Sequence, residues 1–292
     1  MEIRQVGPCF AGEVSGIHLT QPLSAGEIGA IHAGMDEHAV LVFHDQRFTD
    51  DQQLAFSRSL GELEEAVGTS LRAANEYRLP TTFADVSNLD QNNKPFAHDD
   101  RRRLFAIGNR LWHSDSSFKV TPAKYSILHA RSIPSKGGST EFADMRAAYD
   151  SFDQETKEMI EGLVCEHSQM YSRRLLGFTD FSAEEQARFQ PVRQSLVRTH
   201  PSTGRKSVYL SSHAGDILGW PRPEALSLLR DLTELATQRE FVYSHEWRQY
   251  DLVIWDNRRT MHRARPFPSE EPRDMRRTTL RGEGPTAEQA AA

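Results

Sequence analysis

The stretch Asp251-Leu-Val-Ile-Trp-Asp-Asn-Arg-Arg-Thr-Met-His-Arg-Ala-Arg265 reads as a hydrophobic strand, a polar turn at Asp256-Asn257, and then a single histidine, His262, in basic surroundings. Similar strand-like pieces lie at residues 40–43, 125–131, 195–199, 207–210 and 241–245. They are short and rich in β-branched and aromatic residues, as half-buried strands are. No regular helical crossovers separate them, which argues against a doubly wound parallel sheet. The expected fold is mainly β with peripheral helices (α+β), a β-sandwich or jelly roll.

Helices announce themselves by their caps. Ser24-Ala-Gly-Glu27 is a capping box followed by Ile28, Ile31 and Met35 on one face. Thr49-Asp-Asp-Gln52 is another, followed by Phe56, Leu60 and Leu63. Asp153 opens a third helix carrying Met159, Ile160 and Leu163. Pro223 stands at the start of a fourth with Leu228, Leu229, Leu232 and Leu235. No Pro/Gly/Ser linker and no repeat divides the chain. Residues 1–281 are expected to form one domain, and the low-complexity end, residues 282–292, a frayed, disordered tail.

Composition narrows the partners. Among 292 residues, 35 are Lys or Arg and 41 are Asp or Glu, a formal net charge of −6. Nucleic acid and anionic lipid both want a basic patch, so neither is expected. Ala39-Val-Leu-Val-Phe43 is typical of the longest apolar runs, far short of the ~20 residues of a membrane span. The start, Met-Glu-Ile-Arg-Gln-Val-Gly, lacks the apolar stretch of a secretory signal. Cys9 and Cys165 form no disulfide framework. The expectation is a cytoplasmic protein that handles a small molecule; a homo-oligomer is left open.

Twelve histidines invite a search for metal sites. A facial non-haem iron site needs two histidines and one carboxylate. A histidine and a carboxylate two apart on an extended strand point to the same face and can bind one ion together. Two pairs qualify: His98 with Asp100, and His113 with Asp115. His98 sits in a polar, highly charged stretch that reads as a solvated loop. His113 sits in Gly108-Asn-Arg-Leu-Trp-His-Ser-Asp-Ser-Ser-Phe118, framed by large aromatics. A buried pair of ligands is plausible there, with an ordinary turn as the alternative. His262 supplies a distant third ligand. Eleven residues after it comes Arg273, and four later Arg277. That order can hold iron and then the carboxylate of an acidic cosubstrate; without His262 the arginines would read as a solvated charged strand. His129, His167, His200, His213 and His245 read as core or surface residues, some of them partners of the ligands, and Asp256 and Asn257 as turn-shaping.

Taken in order, these blocks resemble a known family. They are Trp112-His113-Ser114-Asp115 with Ser117-Phe118, Gly137-Gly138-Ser139-Thr140 through Tyr149, Trp255-Asp256-Asn257-Arg258 with His262, and finally Arg273 and Arg277. Together they resemble the taurine dioxygenase/TfdA family of iron(II)- and 2-oxoglutarate-dependent oxygenases. The run Arg101–Phe118 in full, 101–118, and the segment 235–243 are closer to the phenoxyalkanoate herbicide dioxygenases. The resemblance implies a double-stranded β-helix (jelly-roll) core with helices outside. It implies His113, Asp115 and His262 as iron ligands, Thr140 and Arg273 as the grip on the distal carboxylate of 2-oxoglutarate, and Arg277 as the contact for the acidic group of the prime substrate. Fe(II), 2-oxoglutarate and O2 are the implied cofactor and cosubstrates. The implied reaction hydroxylates the carbon beside the ether oxygen of an aryloxyalkanoate such as 2,4-dichlorophenoxyacetate, releasing a phenol, a 2-oxo acid, succinate and CO2. An alkylsulfonate or alkyl sulfate ester is the alternative substrate. A zinc hydrolase could use the same ligand type, but would not need Thr140 and Arg273. A non-catalytic jelly-roll binding protein would not need an intact ligand set.

Overall fold

The computed structural model describes residues 1–66, 71 and 76–290. The chain begins with β1 (Glu2–Gln5), β2 (Gly12–Ser15), α1 (Ala25–His38), β3 (Val40–Phe43) and α2 (Asp50–Leu60). It continues through β4 (Ala84–Asp85), α3 (Arg101–Ala106), β5 (Ala123–Ser132), β6 (Thr140–Asp144), α4 (Met145–Ser151) and α5 (Gln154–Ile160). Next come β7 (Val164–His167), α6 (Gln169–Leu175), α7 (Ala183–Arg188), β8 (Val192–Ser195), β9 (Val197–Thr199), β10 (Lys206–Val208) and β11 (Ala214–Ile217). The last elements are α8 (Arg222–Ala236), β12 (Val242–His245), β13 (Leu252–Asp256), β14 (Thr260–Ala264) and β15 (Asp274–Arg281). None of the described helices is long and apolar enough to cross a membrane.

A seven-stranded sheet runs in the order β1-β2-β3-β13-β5-β15-β4. All its pairs are antiparallel except β2 with β3. β13 lies at its centre, with Ile254 opposite both Leu41 and Ile127, and every residue of it is buried. Side chains alternate between the two faces of such a strand. Leu252 and Ile254, with Leu41, Phe43 and Ile127, pack against Ile31 and Met35 of α1 and Phe56 and Leu60 of α2. Each such fully buried side chain is worth about 1.5–3 kcal/mol. Val253 and Trp255, with Val40, Val42, Leu128 and Met275, pack the other way, onto Phe142. Phe142 belongs to a three-stranded sheet, β12-β6-β14. The large sheet therefore has helices on one face and a smaller sheet on the other.

The capping boxes at Ser24 and Thr49 both form, and Asp153 caps α5. The expected helical faces need adjustment. Leu63 lies beyond α2, in an isolated bridge with Leu280. Leu163 lies beyond α5, which stops at Ile160. α8 buries Ala225, Leu229, Leu232 and Ala236, spaced four, three and four apart. Leu235 falls beside that stripe and is 51% exposed. The strand expected at 195–199 breaks at buried Leu196, whose N–H and C=O bond to Leu163 and Tyr209, so the chain changes sheets there. The expected frayed tail is a further difference. Up to residue 290 it has no regular structure, yet Thr286 and Gln289 bond along β8 to Ser195, Gln194 and Arg193. Residues 291 and 292 lie outside the described residues.

Candidate active site

His113 and His262 are brought together by an isolated antiparallel bridge. The His113 N–H donates to the His262 carbonyl at 3.0 Å, and the His262 N–H to the His113 carbonyl at 2.8 Å. β14 delivers His262 on the edge of the small sheet, and the two imidazole rings lie 4.2 Å apart. Asp115 does not continue an extended strand, as the two-residue spacing suggested. It opens a turn, with Ser116 at φ +54°. Its carboxylate still reaches both rings, with Oδ1 3.9 Å from His113 Nε2 and Oδ2 3.7 Å from His262 Nε2. One ligand atom from each residue lies within 4.8 Å of the others, and all three residues are buried. Among the described residues this is the only such group. His98 is exposed, and Asp100 caps α3 instead of facing a metal.

The donor set fits a metal ion. His113 Nδ1 lies 2.8 Å from the Leu111 carbonyl. A carbonyl can only accept, so Nδ1 carries the hydrogen and Nε2 presents its lone pair toward Asp115. Burial lowers the pKa of both histidines, which keeps them neutral, the form that binds metal. Burial alone would raise that of Asp115, but Arg277 and the nearby histidines hold it down at about 2. Two further contacts fix Asp115, one at its carboxylate and one at its backbone. Ser126 Oγ donates to Oδ2 at 2.7 Å, and the Asp115 N–H donates to Asn257 Oδ1 at 3.0 Å. Asn257 is itself held by Trp255 Nε1 and donates to Ser126. It shapes the turn as expected and also positions a ligand. Asp256 is turned away, paired with Arg258 and Arg259.

Beside the triad lies a small cavity lined by Val86, Leu128, Thr140, Trp255, Arg273 and Arg277. Two glycines precede the strand that carries Thr140. Gly137 and Gly138 take φ of +69° and +74°, a region open to glycine at little cost. The Gly138 N–H donates to the Pro266 carbonyl at 3.0 Å and starts β6 at Thr140. Trp247 Nε1 donates to Thr140 Oγ1 at 2.9 Å, which leaves the threonine hydrogen free for another acceptor. Arg273 is 5% exposed, and burial alone pushes its pKa down to about 10. Its Nη1 reaches the Val86 carbonyl at 3.2 Å, and no carboxylate pairs with it among the described residues. A buried guanidinium without a counter-ion is costly unless an anion completes it. Arg277 opens onto the same cavity, and its Nη1 donates to Asp115.

A second, outer cavity shares His113 and Arg277 and also reaches Asp115. Leu79, Phe83, Phe96, Phe105 and Phe118 make much of its wall apolar. Its polar lining includes Gln169, Arg173 and His213. His213, expected as a core or surface residue or a partner of the ligands, packs its ring edge-on to His113 at 5.8 Å. Ser126, Trp247 and Arg173 were not visible as site residues in the sequence. Each is placed by long-range packing, and no local pattern marks it.

A family model described as taurine catabolism dioxygenase TauD, TfdA family matches residues 2–279. The chain belongs to this family. It is 43% identical to the alpha-ketoglutarate-dependent 2,4-dichlorophenoxyacetate dioxygenase of Cupriavidus pinatubonensis, over 93% of this chain and 94% of that one. It is 33% identical to the (S)-phenoxypropionate/alpha-ketoglutarate-dioxygenase of Delftia acidovorans, over 100% of this chain and 98% of that one. The crystal structure of AAD-2 in complex with Mn(II) and N-oxalylglycine superposes with a TM-score of 0.96 at 56% identity, covering 98% of this chain and 99% of the other. The TauD, TfdA membership makes the chain an oxidoreductase of the dioxygenase type.

Proposed function

We propose that this chain is an iron(II)- and 2-oxoglutarate-dependent dioxygenase that hydroxylates the carbon beside the ether oxygen of an aryloxyalkanoate such as 2,4-dichlorophenoxyacetate. The observation that carries this reading is the buried His113, Asp115, His262 set beside a buried arginine that lacks a carboxylate. The activity in the names of the relatives above supports it, and so does the bound metal and N-oxalylglycine in the AAD-2 structure. The facing sheets fit a double-stranded β-helix (jelly roll), with residues 1–281 as one domain. We place the enzyme in the cytoplasm, where two unpaired cysteines are at home.

His113, Asp115 and His262 would hold iron(II) on one face. Bound there, iron couples the oxidative decarboxylation of 2-oxoglutarate by O2 to hydroxylation of the nearest substrate C–H. Arg273 offers the distal carboxylate of 2-oxoglutarate a planar fork, and Thr140 adds a short O–H. The cosubstrate thus lies in the inner cavity. Arg277, at the junction with the outer cavity, contacts the acidic group of the prime substrate, and the phenylalanine wall receives the ring. An acid held at Arg277 sets its adjacent carbon toward the triad. Hydroxylation at that carbon gives a hemiacetal, which collapses to a phenol and a 2-oxo acid.

The test is a screen of the purified protein with iron(II), 2-oxoglutarate and O2 against aryloxyacetates, aryloxypropionates, taurine and an alkyl sulfate. Phenol and succinate should appear together, and only with an aryloxyalkanoate present. Succinate formation driven by taurine or the sulfate ester alone would transfer the assignment to those substrates. Turnover supported by zinc without 2-oxoglutarate would overturn the oxygenase reading.

A further inference from the structure

Four described arginines border the two cavities, and their surroundings differ. Arg102, in the outer cavity, is paired with Asp100 and Glu76. Arg273 lines the inner cavity, beside Thr140. Arg277 already has a carboxylate, that of Asp115. Arg173, on α6, lines the outer cavity and is 4% exposed, yet no carboxylate pairs with it among the described residues. Its Nη1 donates to Ser172 Oγ at 2.9 Å, and its Nη2 makes only a long contact of 3.4 Å with Asn109 Oδ1. Its Nε has no hydrogen-bond partner among the described residues. The guanidinium is nevertheless held firmly in place. The Phe105 ring centroid lies 4.3 Å from its Cζ. Gly108 comes so close that a Cβ there would sit 2.6 Å from the same atom. Burial alone pushes the pKa of Arg173 down to about 10, still far enough up to keep it charged at neutral pH. A fixed, buried cation with no carboxylate partner among the described residues, in a wall that also carries Phe83, Phe105 and Phe118, suits the acidic end of a partly apolar ligand.

We propose that Arg173 is a specificity-determining residue that binds the acidic group of the prime substrate in the outer cavity, sharing it with Arg277. This rests on the aryloxyalkanoate reading above and adds to it. Arg277 alone would have to divide its donors between the substrate and Asp115, and any donor taken from Asp115 weakens the hold on a ligand. Arg173 has donors to spare and no such conflict. Two guanidinium groups on one carboxylate also restrict rotation of the acid, so the face of the adjacent carbon turned toward the triad becomes fixed.

The test uses the full-length protein loaded with iron(II) and 2-oxoglutarate without oxygen. Affinities for 2,4-dichlorophenoxyacetate and for its methyl ester are measured in the parent, in Arg173→Gln and in Arg173→Lys. The parent should prefer the acid. Arg173→Gln should lose roughly ten- to a hundredfold in acid affinity, as expected for a charge-assisted hydrogen bond, with the ester unchanged. Arg173→Lys should lose less. The affinity for 2-oxoglutarate should be unaltered in both variants. A parent that binds acid and ester equally overturns the aryloxyalkanoate reading and this proposal together. A parent that prefers the acid, with a Gln variant that keeps the same preference, overturns this proposal alone. So does a Gln variant that weakens acid and ester alike, since that is the mark of a packing role. Should Arg173→Gln fail to melt like the parent, Arg173→Lys decides: unchanged acid affinity overturns the proposal, and a selective loss for the acid supports it.

Discussion

Arg273 and Arg277 are four apart and open onto one cavity, but their contacts assign them different tasks. Arg277 is committed to Asp115, a residue that would hold the metal. Arg273 has only backbone and side-chain oxygens around it: its own N–H donates to Asn88 Oδ1 and its Nη1 to the Val86 carbonyl. Its other donors remain for a planar, bidentate partner. Lysine would keep the charge and lose the fork. Arg273→Lys is therefore expected to weaken 2-oxoglutarate by roughly ten- to a hundredfold, the effect of losing one charge-assisted hydrogen bond. The requirement for the prime substrate should change little. Titration of the anaerobic iron protein with 2-oxoglutarate gives the answer, and an unchanged affinity would place the distal carboxylate elsewhere.

At the level of elements, the site depends on how β6 begins. Gly137 sits at φ +69°, and a Cβ on it would lie 2.5 Å from the Pro266 carbonyl oxygen. The same carbonyl accepts the Gly138 N–H, and Thr140 follows two residues later. An alanine at 137 has to shift that turn or the segment carrying Pro266. Gly137→Ala should cost about 1–3 kcal/mol in urea unfolding, and it should weaken 2-oxoglutarate because Thr140 moves relative to Arg273. A variant with parental stability and affinity would show that the turn has slack. The capping boxes were legible in local spacing alone, and the pair His113 and Asp115 was legible as a candidate; the Gly-Gly pair and the full set with His262 came with the resemblance to the family. The contacts that support them were not legible. Ser126 reaches Asp115 because β5 lies beside β13 in the sheet. Trp247 reaches Thr140 across 107 positions of sequence. Arg173 borders His113 only through the packing of α6 against the turn at Gly108. Hydrophobic periodicity misplaced Leu235 for a related reason: two alanines, at 225 and 236, carry part of the buried stripe of α8.

On the scale of the whole molecule, the buried histidines couple stability to pH. His129 lies on β5 within the large sheet, and burial lowers its pKa to about 4. His167, on β7, is lowered to about 3, again chiefly by burial. Neither of its ring nitrogens has a hydrogen-bond partner among the described residues, and the ring stacks on Tyr209 at 5.8 Å. An unfolded histidine titrates near 6.5. Between that value and the folded pKa, the unfolded chain binds more protons than the folded one. Stability is therefore fully present above about pH 6.5 and falls as the pH drops toward the folded values. One pKa unit corresponds to about 1.4 kcal/mol. Each of these two groups can thus remove a few kcal/mol, a large fraction of an ordinary folding stability of about 5–15 kcal/mol. His167 is the better probe, because His167→Phe removes no side-chain hydrogen bond and keeps a ring against Tyr209. The variant should resemble the parent in urea unfolding at pH 7.5, and it should lose clearly less stability than the parent when the pH is lowered to 5. Parallel losses in the two proteins would mean that His167 does not carry the acid sensitivity and that its proton is accommodated in the folded state.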